Sequence, residues 1–595
     1  MKKLLKELAG YEKEVVLAPL FKMLEALFEL FVPLVMKNII DEAIPAGDTG
    51  RILESAGILF GLALVGLACS LTAQYFAAKA ATGFSARIRE KCFDHIQRLS
   101  FTSLDKIGTP TLLTRMTSDI SQLQNGVNLT LRLFMRSPFV VFGAMIMAFI
   151  VSPEIAWVFV GVIVVLSVVV FGIMLLTMPL YKGVQGALDG VSGRTRENLT
   201  GVRVIRAFRL EKQETEQFTE EHGILTHLRH FAGKISAAMN PLTYIFVNFG
   251  ILFVLYLGAV RVDAFGLSQG AVIALVNYLG QILVELVKLA NLIIQMTRAA
   301  ASGNRVEELL ETGAEEMNPG KAGMLTENTA EIFEPGTQVE SVAEIEVKSS
   351  APGDTPLLRF SNVSMQYDGA SEPAIQDITF EVHAGETIGI IGGTGSGKTT
   401  LVSLIPAFYP VSSGKLLLLG KDIADYDRKS LRKAVGIVMQ HAVLFSGTVR
   451  ENLLWGNPNA SDDDLSDALR KAQALSFVTE KGGLSAEVEQ DGRNFSGGEK
   501  QRLSIARALV RNPEILILDD SSSALDFATD AALRSEIGKM DPGMTVFIVS
   551  QRAASVMNAD RIIVLEDGKI AGIGSHEPLL KECAVYREIY ESQFR

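Results

Sequence analysis

Two short stretches of this chain hold residue types that bind phosphate and a divalent cation. Residues 392–399 read GGTGSGKT and fit the pattern GxxxxGK[ST] of a phosphate-binding loop. Glycines let backbone N–H groups curl closely around an anion, and Lys398 adds a positive charge. Residues 515–520 read ILILDD, an apolar strand ending in two carboxylates, so Asp519 can hold Mg²⁺ together with the hydroxyl of Thr399. Together the stretches predict a nucleoside triphosphate site.

The elements predicted around these residues follow the order that such a loop needs. A β-rich run at 387–391 precedes the loop, and an apolar helical run follows it. Further strands are predicted at 358–363, 435–439, 515–518 and 546–549. Strands that alternate with helical patterns predict an α/β nucleoside triphosphatase sheet, and this context argues against a chance match to the loop pattern.

A third motif, the SGGE segment (residues 496–499), precedes a helical run at 500–509. Ser at the N-cap with Glu three residues later forms a capping box, so the plainest interpretation is a well-capped helix. The phosphate loop, the SGGE segment and the two carboxylates, in this order, resemble the nucleotide-binding domain of an ATP-binding cassette (ABC) transporter. The resemblance implies that this helix N-terminus also contacts the γ-phosphate bound by a partner subunit. The family more often has LSGGQ, so Phe495 and Glu499 are departures.

The same resemblance implies roles for other residues. Tyr367, just after the first strand, is expected to stack on adenine rather than to be an ordinary surface tyrosine. Gln440 is expected to contact Mg²⁺ and to relay to the membrane domain, and residues 523–526 (SALD) match a loop at the dimer interface. The residues expected to bind ATP are Tyr367, Gly392, Gly393, Thr394, Gly395, Ser396, Gly397, Lys398, Thr399, Thr400, Gln440, Ser496, Gly497, Gly498 and Glu499. Those expected to hold Mg²⁺ are Thr399, Gln440 and Asp519.

Two catalytic positions differ from the family pattern. Asp520 stands where the family usually has a Glu that polarises water, and its side chain is one methylene shorter. A displacement of ~1 Å at a catalytic base can cost about a hundredfold in rate. Gln551 stands where the family has a histidine, and an amide cannot carry the positive charge that helps the γ-phosphate depart. The pair resembles the degenerate-site subunit of bacterial heterodimeric multidrug ABC exporters, which implies a partner that supplies Glu and His.

The composition indicates a membrane protein of more than one domain. The chain has 595 residues, of which 48% are hydrophobic and 21% charged. A net charge of −11 argues against a nucleic-acid partner. The three cysteines, Cys69, Cys92 and Cys583, follow no metal or disulfide spacing. The basic N-terminus is predicted to be an amphipathic helix on the membrane surface rather than a signal peptide.

Long apolar runs in the first half predict six membrane-spanning helices. Five runs are uncharged, at 55–78, 137–152, 155–181, 235–260 and 264–284. A weaker sixth, at 15–36, contains three charged residues. The basic residues between 79 and 115 place this side, and both termini, in the cytoplasm, as expected for a protein of the cytoplasmic membrane. The resemblance implies that regions 101–123 and 197–218 couple this domain to the nucleotide-binding domains.

These signals predict an all-α six-helix transmembrane domain followed by an α/β P-loop ATPase domain. The predicted boundaries are 1–311 for the transmembrane domain, 312–356 for a flexible acidic linker and 357–595 for the nucleotide-binding domain. The linker is rich in Glu, Gly, Pro, Ser and Thr, and it lacks the apolar content that a small extra domain would need.

Charged residues inside the predicted spans mark candidate cargo contacts. Lys22, Glu25 and Glu29 share one helix face, and Glu285 with Lys288 does so in the sixth span. Pairing of Lys22 with Glu25 and of Lys288 with Glu285 is an equally good interpretation, but Glu29 lacks a partner on its own helix. The candidate substrate residues are therefore Glu25, Glu29 and Glu285. A histidine cluster at 222–230 fits a solvated helix face better than a metal site.

The predicted function is ATP-driven export of hydrophobic or amphipathic compounds, cations among them, by one half of a heterodimer that works with ATP, Mg²⁺ and membrane lipids. Two alternatives remain open at this point. One is a homodimeric lipid or peptide exporter with slow turnover, and the other is a nucleotide-gated channel or sensor. An importer is disfavoured because its permease and ATPase are usually separate chains.

Overall fold

The computed structural model describes residues 2–263, 266–313, 356–540 and 543–594. The chain forms two compact units. The first contains Met1–Gln97 and Thr109–Thr312, and the second contains Arg98–Gly108 and Gly313–Arg595. Almost all of the predicted linker at 312–356 lies outside the described residues. The short segment 98–108, which the sequence boundaries had placed with the first domain, packs with the second unit.

Helices account for the first unit, because its long apolar runs carry few residues that interrupt a helix. In chain order the helices up to residue 311 are α1 (Lys2–Leu5), α2 (Glu12–Asn38), α3 (Thr49–Gln97), α4 (Phe101–Ile107), α5 (Thr109–Thr114), α6 (Ile120–Leu129), α7 (Arg136–Val151), α8 (Pro153–Thr200), α9 (Val202–Ala207), α10 (Glu211–Ala237), α11 (Met239–Asp263) and α12 (Gln269–Glu311). Of these, α4 belongs to the second unit.

Within the part of the chain that the structure describes, five helices are long and apolar enough to cross a membrane. They are Thr49–Gln97, Thr109–Val151, Pro153–Thr200, Glu211–Val262 and Gln269–Glu311. Each overlaps a predicted span, although the run at 137–152 ends one residue after Val151 and the run at 264–284 begins before Gln269. The weaker span at 15–36 falls within α2, which has 27 residues but carries three charged side chains near its middle. The helix is therefore present where it was predicted, and its charges need partners.

The helices of the first unit pack around an apolar core that also contains a buried hydrogen bond between two helices. The core includes Phe159 of α8, Val254 of α11 and Leu275 of α12, all fully buried. Within it, the hydroxyl of Tyr278 donates to the carbonyl of Leu30 at 2.7 Å. This bond joins α12 to α2 and satisfies a hydroxyl that would otherwise be costly to bury.

The second unit is built on sheets, as the alternating pattern predicted. Its strands are β1 (Leu358–Met365), β2 (Ile375–Val382), β3 (Thr387–Gly392), β4 (Ser413–Leu418), β5 (Lys421–Asp422), β6 (Val435–Val438), β7 (Gly447–Thr448), β8 (Glu487–Val488), β9 (Ile515–Asp519), β10 (Thr545–Ser550), β11 (Arg561–Glu566) and β12 (Lys569–Gly574). The main sheet has the order β12-β11-β3-β10-β9-β6, and a second sheet has the order β2-β1-β4-β5. The predicted fold class, helical membrane domain followed by an α/β domain, is confirmed.

The main sheet brings three strand ends to one edge. β3, β10 and β9 are adjacent and parallel, with Ser550 opposite Ile391 and Val549 opposite Asp519. The carboxyl ends of these strands therefore meet, and in open α/β sheets this edge is where ligands bind. The phosphate loop follows β3, and the two carboxylates lie at the end of β9.

Short helices complete the second unit. They are α13 (Lys398–Ser403), α14 (Arg428–Ala434), α15 (Val449–Leu454), α16 (Asp462–Lys471), α17 (Leu475–Glu480), α18 (Gly497–Val510), α19 (Phe527–Ile537), α20 (Ala553–Val556), α21 (His576–Glu582) and α22 (Ala584–Phe594). The SGGE segment begins α18, in the helical region between β6 and β9.

Candidate nucleotide-binding site

A cavity of about 300 Å³ lies at the carboxyl edge of the main sheet. Its walls come from the loop after β3, the ends of β9 and β10, and the segment after β1. The lining residues are Tyr367, Ala374, Thr394, Gly395, Gly397, Lys398, Thr399, Thr400, Gln440, Asp519, Asp520, Val549 and Gln551. The structure thus brings together most of the predicted nucleotide and metal residues, whereas the SGGE segment does not line this cavity.

The backbone of the phosphate loop requires glycine. Gly395 and Gly397 have φ angles of 82° and 93°, a region that disfavours residues with a Cβ. At Gly397 an added Cβ would also lie 2.6 Å from the carbonyl oxygen of Ala374. The tight turn into α13 therefore favours glycine at these two positions.

Lys398 is a buried cation held by backbone carbonyl groups. Its Nζ donates to the carbonyl oxygens of Gly392 at 3.0 Å and Gly393 at 2.6 Å. Burial lowers the pKa of Lys398, while the nearby charges of Asp520 and Asp519 act to raise it. Among the described residues, none of its hydrogen bonds is to a carboxylate, so a polyphosphate would find an ammonium group whose charge is incompletely neutralised.

The oxygen atoms needed for a magnesium ion are close together. The hydroxyl of Thr399 donates to Oδ1 of Asp519 at 3.1 Å, and the Asp519 side chain is buried. Burial raises the pKa of Asp519, opposed by the hydrogen bond from Thr399. A hydroxyl, a carboxylate and the amide oxygen of Gln440 form the hard-oxygen set that Mg²⁺ prefers, so these residues fit the ion.

Asp520 adopts a left-handed backbone conformation, with φ 46°. Its N–H donates to the carbonyl of Val549 at 3.0 Å, and its carboxylate accepts a hydrogen bond from Gln440 Nε2 at 3.2 Å. Burial raises the pKa of Asp520, opposed by the Gln440 hydrogen bond. Asp520 is therefore held at the end of β9, and one of its carboxylate oxygens already accepts a hydrogen bond from the Gln440 amide.

Gln551 and Arg552 follow β10 and have different partners. The amide oxygen of Gln551 lies 3.5 Å from the hydroxyl of Thr394, a long contact across the cavity. Arg552 donates to the carbonyls of Ser522 and Leu525 at 3.4 Å each, so it fixes the turn that follows Asp520. The sequence reasoning missed Arg552. A basic residue directly after the Gln551 position was the available signal.

Tyr367 lies on the cavity wall. Its hydroxyl is 3.0 Å from the hydroxyl of Thr400, and its ring meets the ring of Tyr409 edge-on, with 5.1 Å between centroids. The phenol group is thus anchored at both ends, which sets the orientation of an aromatic ring beside the phosphate loop.

The capping box predicted at the SGGE segment is present. Glu499 N–H donates to Ser496 Oγ at 3.3 Å, and Ser496 N–H donates to the Glu499 carboxylate at 2.7 Å. Burial acts to raise the pKa of Glu499, but the hydrogen bonds from Ser496 and the charges of Lys481 and Arg502 lower it overall. Glu499 is thus an anion at the start of α18, with Lys481 Nζ at 3.7 Å.

Comparison with known proteins decides the family. Residues 15–286 match the ABC transporter transmembrane region, and residues 375–523 match the ABC transporter family. An uncharacterized ABC transporter ATP-binding protein of Mycobacterium tuberculosis is 33% identical over 586 residues, covering 98% of this chain and 96% of that protein. This chain belongs to the ABC transporter family. It is an ATPase coupled to transport, with its membrane and nucleotide-binding domains fused in one polypeptide.

Other relatives match this chain over its whole length. YfiB of Bacillus subtilis, an uncharacterized ABC transporter ATP-binding protein, is 32% identical and covers 100% of this chain and 99% of its own. YgaD of the same species, a putative multidrug export ATP-binding/permease protein, is 30% identical over 617 residues, covering 100% of this chain and 99% of its own. A bacterial Atm1-family ABC exporter with ATP bound has the same fold, with TM-score 0.77, 22% identity and 98% coverage of both chains.

The candidate cargo residues of this ABC transporter are ion-paired in the first unit. Arg136, the first residue of α7, contacts Glu29 at 2.6 Å and Glu285 at 2.5 Å. Lys22 pairs with Glu25 at 2.6 Å, and Lys288 pairs with Glu285 at 2.9 Å. The structure shows the two pairings considered as the alternative. It also gives Glu29 a partner on another helix, which sequence reasoning missed because Arg136 lies at the edge of an uncharged run.

Proposed function

We propose that this chain is one half of a heterodimeric ABC exporter of the cytoplasmic membrane, with both termini in the cytoplasm. Its own ATP site would bind nucleotide well and hydrolyse it slowly. The observation that carries the proposal is the cavity at the main sheet, which presents Asp520 and Gln551 at the two positions that should activate water and stabilise the departing phosphate.

The binding half of this proposal rests on the intact part of the cavity. The charge of Lys398 is incompletely neutralised, and the glycine-rich turn exposes backbone N–H groups. Both features suit the phosphates of ATP. Thr399, Gln440 and Asp519 would hold Mg²⁺, and the ion would supply positive charge beside the phosphates. The anchored ring of Tyr367 offers a face on which adenine would stack.

The proposal of slow hydrolysis depends on the length of the Asp520 side chain and on the lack of charge at Gln551. Burial raises the pKa of Asp520, which by itself favours a general base. Its carboxylate is one methylene shorter than that of Glu, however, and it is held by Gln440 at 3.2 Å. Gln551 is neutral, so it offers no counter-charge to the γ-phosphate. Loss of reach and loss of charge both slow phosphoryl transfer, which depends on positioning and electrostatic stabilisation.

The SGGE segment would serve the nucleotide of the partner subunit. It does not line the cavity of its own chain, and it opens α18, a helix of 14 residues. The positive end of a helix dipole and free backbone N–H groups suit a phosphate. Ser496, Gly497 and Gly498 are therefore proposed to complete a competent site whose Glu and His come from the other chain.

The proposed cargo is hydrophobic or amphipathic, with cations among the candidates. Glu25 and Glu285 are each ion-paired and their side chains are 18% and 4% exposed, so they are poorly placed to meet a new cation. The Glu29 side chain is 44% exposed although Arg136 contacts it, so Glu29 remains the best candidate. The name of YgaD, a putative multidrug export protein, supports this cargo class.

The test is ATP hydrolysis by the chain alone and with its co-purified partner, both in native lipids. We expect slow turnover alone and turnover of about 10 per second, the ordinary enzyme scale, with the partner. Ordinary turnover by the chain alone would overturn the heterodimer. Slow turnover in both preparations, with tight ATP binding, would instead favour a nucleotide-gated channel or sensor, while a stable pair of identical chains with slow turnover would favour the homodimeric exporter.

A further inference from the structure

Segment 98–108 has two separate connections to the loop that carries Tyr367. The segment is continuous in sequence with α3 before it and α5 after it, yet it packs within the second unit. Its helix α4 is capped by Ser100, whose Oγ accepts from the N–H of Ser103 at 3.1 Å. The segment is thus a short ordered element through which the chain passes from one membrane helix to the next.

The first connection runs through Tyr409. Its hydroxyl donates to the carboxylate of Asp105 at 2.6 Å, and its ring meets that of Tyr367 edge-on at 5.1 Å. Burial raises the pKa of Tyr409, and the hydrogen bond to Asp105 raises it further, so the phenol stays a donor at physiological pH. Tyr409 therefore contacts the segment with its hydroxyl and the proposed adenine platform with its ring.

The second connection is an ion pair beside the first. Lys106 Nζ lies 3.0 Å from the carboxylate of Asp368, the residue after Tyr367. Both side chains are mostly exposed, so the pair contributes little by itself. It joins the neighbours of Asp105 and Tyr367, so it links the same two pieces of chain as the first connection.

An aromatic stack fixes the position of Tyr409. The ring of Phe101 stacks on that of Phe408 at 4.2 Å, and the guanidinium of Arg432 lies 5.3 Å from the Phe408 ring centroid. Arg432 also donates to the carbonyl of Pro406 at 3.3 Å. The turn that carries Tyr409 is thus held on both sides. A movement of the Tyr367 ring would therefore shift Tyr409 relative to Asp105 and would not be lost in motion of the turn.

We propose that Tyr409 is a positioning residue that couples occupancy of the base site at Tyr367 to the conformation of segment 98–108. A purine base stacked on Tyr367 fixes its ring, the edge contact fixes Tyr409, and the hydroxyl of Tyr409 fixes Asp105. The inference rests on the proposed adenine contact of Tyr367. It adds that the base, and not the phosphates alone, reports nucleotide binding to the segment that leads into the membrane helices.

The test measures hydrogen–deuterium exchange of segment 98–108 in the full chain in lipid nanodiscs. Mg-ATP fills the base site and the phosphate loop, whereas Mg-tripolyphosphate fills the phosphate loop only. We expect ATP to slow exchange in the segment by about fivefold, the scale of one net hydrogen bond, and tripolyphosphate to leave it unchanged. Equal protection by the two ligands would overturn the inference.

Tyr409→Phe removes one hydroxyl and keeps the contacts of the ring with Tyr367 and with Phe101. This variant should lose the ATP-dependent protection while binding ATP and unfolding thermally as the wild type does. The matched control is Tyr426→Phe, which removes a hydroxyl bound to the carbonyl of Leu418 at 2.7 Å, away from the segment. Full protection in Tyr409→Phe, or equal loss in both variants, would show that Tyr409 is not the link.

Tyr367→Ala separates the two levels of the argument. If this variant binds ATP as tightly as the wild type, adenine does not stack on Tyr367, and both the base contact and the link fail. If it weakens ATP binding about tenfold, as loss of one stacked base predicts, while Tyr409→Phe keeps its protection, only the link fails. Weakened binding in Tyr367→Ala together with lost protection in Tyr409→Phe supports both.

Discussion

Lys398 in the second unit and Arg136 in the first are both buried cations, but their partners differ. Lys398 donates to backbone carbonyls. Arg136 lies between two carboxylates, at 2.5 and 2.6 Å. The Lys398 charge is therefore available to an anionic ligand, whereas the Arg136 charge is neutralised by carboxylates of its own chain.

Whether a buried charge has a counter-ion within the chain indicates whether it serves a binding site or the fold. A buried charge without its counter-ion costs stability and tends to mark a binding or catalytic site. A buried charge that is already paired can hold helices in place, and breaking it exposes the cost of the lone partner. Arg136 joins α7 to α2 and α12 in this way, so it is first a structural residue. The two cases give opposite expectations for mutation.

The largest effect is expected from Arg136→Leu. The change leaves Glu285, with a 4% exposed side chain, facing only Ser137 and the half-exposed Lys288. Removing one partner of a buried pair costs about 3–5 kcal/mol. We expect a large fall in the thermal midpoint of the purified chain in lipid, measured by intrinsic fluorescence.

Two further variants sharpen that experiment. Arg132→Leu, one turn earlier, removes an arginine whose hydrogen bond is to Asn128 at 3.5 Å, and it should cost much less. Arg136→Leu combined with Glu285→Leu removes the orphaned carboxylate and should regain much of the lost stability. A single Arg136→Leu variant as stable as wild type would mean that the pairing contributes nothing.

The next effect separates the two ATP sites of the proposed pair. Gly497→Asp puts a negative charge at the start of α18, where the partner's phosphate is proposed to bind. A Cβ at Gly497 meets no atom within 4 Å, so the fold tolerates it. We expect turnover of the pair to fall by about 10²–10³-fold, the cost of losing one key anion contact.

Lys398→Ala is the counterpart in this chain's own site. It removes the incompletely neutralised cation, so it should weaken ATP binding here and still leave measurable hydrolysis by the pair. Ser496→Ala should resemble Gly497→Asp in direction, with an added capping cost of ~1 kcal/mol. The site assignment is reversed if Lys398→Ala stops hydrolysis while the changes at 496 and 497 leave it untouched.

Local patterns in the sequence were enough to predict that Lys398, Thr399 and Asp519 lie close together. Residues 392–399 form one continuous motif, and Asp519 ends a strand whose neighbours follow from sheet topology. Local spacing also allowed the Lys22–Glu25 and Lys288–Glu285 pairs as one of two equal interpretations, since i and i+3 lie on one helix face.

Contacts between distant elements could not be predicted in the same way. Arg136 meets Glu29 and Glu285 across 107 and 149 residues of sequence. Tyr409 meets Asp105 across 304 residues. No local period encodes such partners, because they depend on how helices and loops pack. The sequence therefore identified Glu29 as unpaired when only its own helix was considered.

A smaller effect is expected from repairing the catalytic positions. Asp520→Glu lengthens the base, and Gln551→His supplies a group that can be positively charged near the γ-phosphate. The two act as a unit, so neither alone need suffice. With the partner's catalytic Glu disabled, the double variant should raise hydrolysis by about tenfold, measured as phosphate release.

Asp520→Asn in the wild-type pair is the matching loss experiment. It should change turnover little, because the partner's site performs most of the hydrolysis. If it stops hydrolysis as fully as removal of the partner's Glu, then Asp520 is a working base and the degenerate-site proposal is wrong. In the chain alone, the same variant tests how the Asp520 charge affects stability, not hydrolysis.

The smallest effect is a pH dependence of stability without nucleotide. Burial raises the pKa of Asp520 above its unfolded value, so its protonated form favours folding, and this stability is lost as pH rises through the folded pKa. Above that range the ionised carboxylate is a net cost that Asn lacks. Asp520→Asn should therefore raise the thermal midpoint by about 1–3 °C near pH 7, with the gain shrinking toward about pH 4.

Asp526→Asn is the control of opposite sign. Hydrogen bonds from the backbone and side chain of Thr529 lower the pKa of Asp526, so its ionised form stabilises the folded state above the unfolded pKa. Replacing it should lower the midpoint near neutral pH, and the loss should shrink as pH falls through the folded pKa. If Asp520→Asn also lowers the thermal midpoint near neutral pH, then partners within the chain already stabilise the ionised Asp520 carboxylate, as they stabilise the Arg136 cation. The contrast between the two units would then not extend to Asp520.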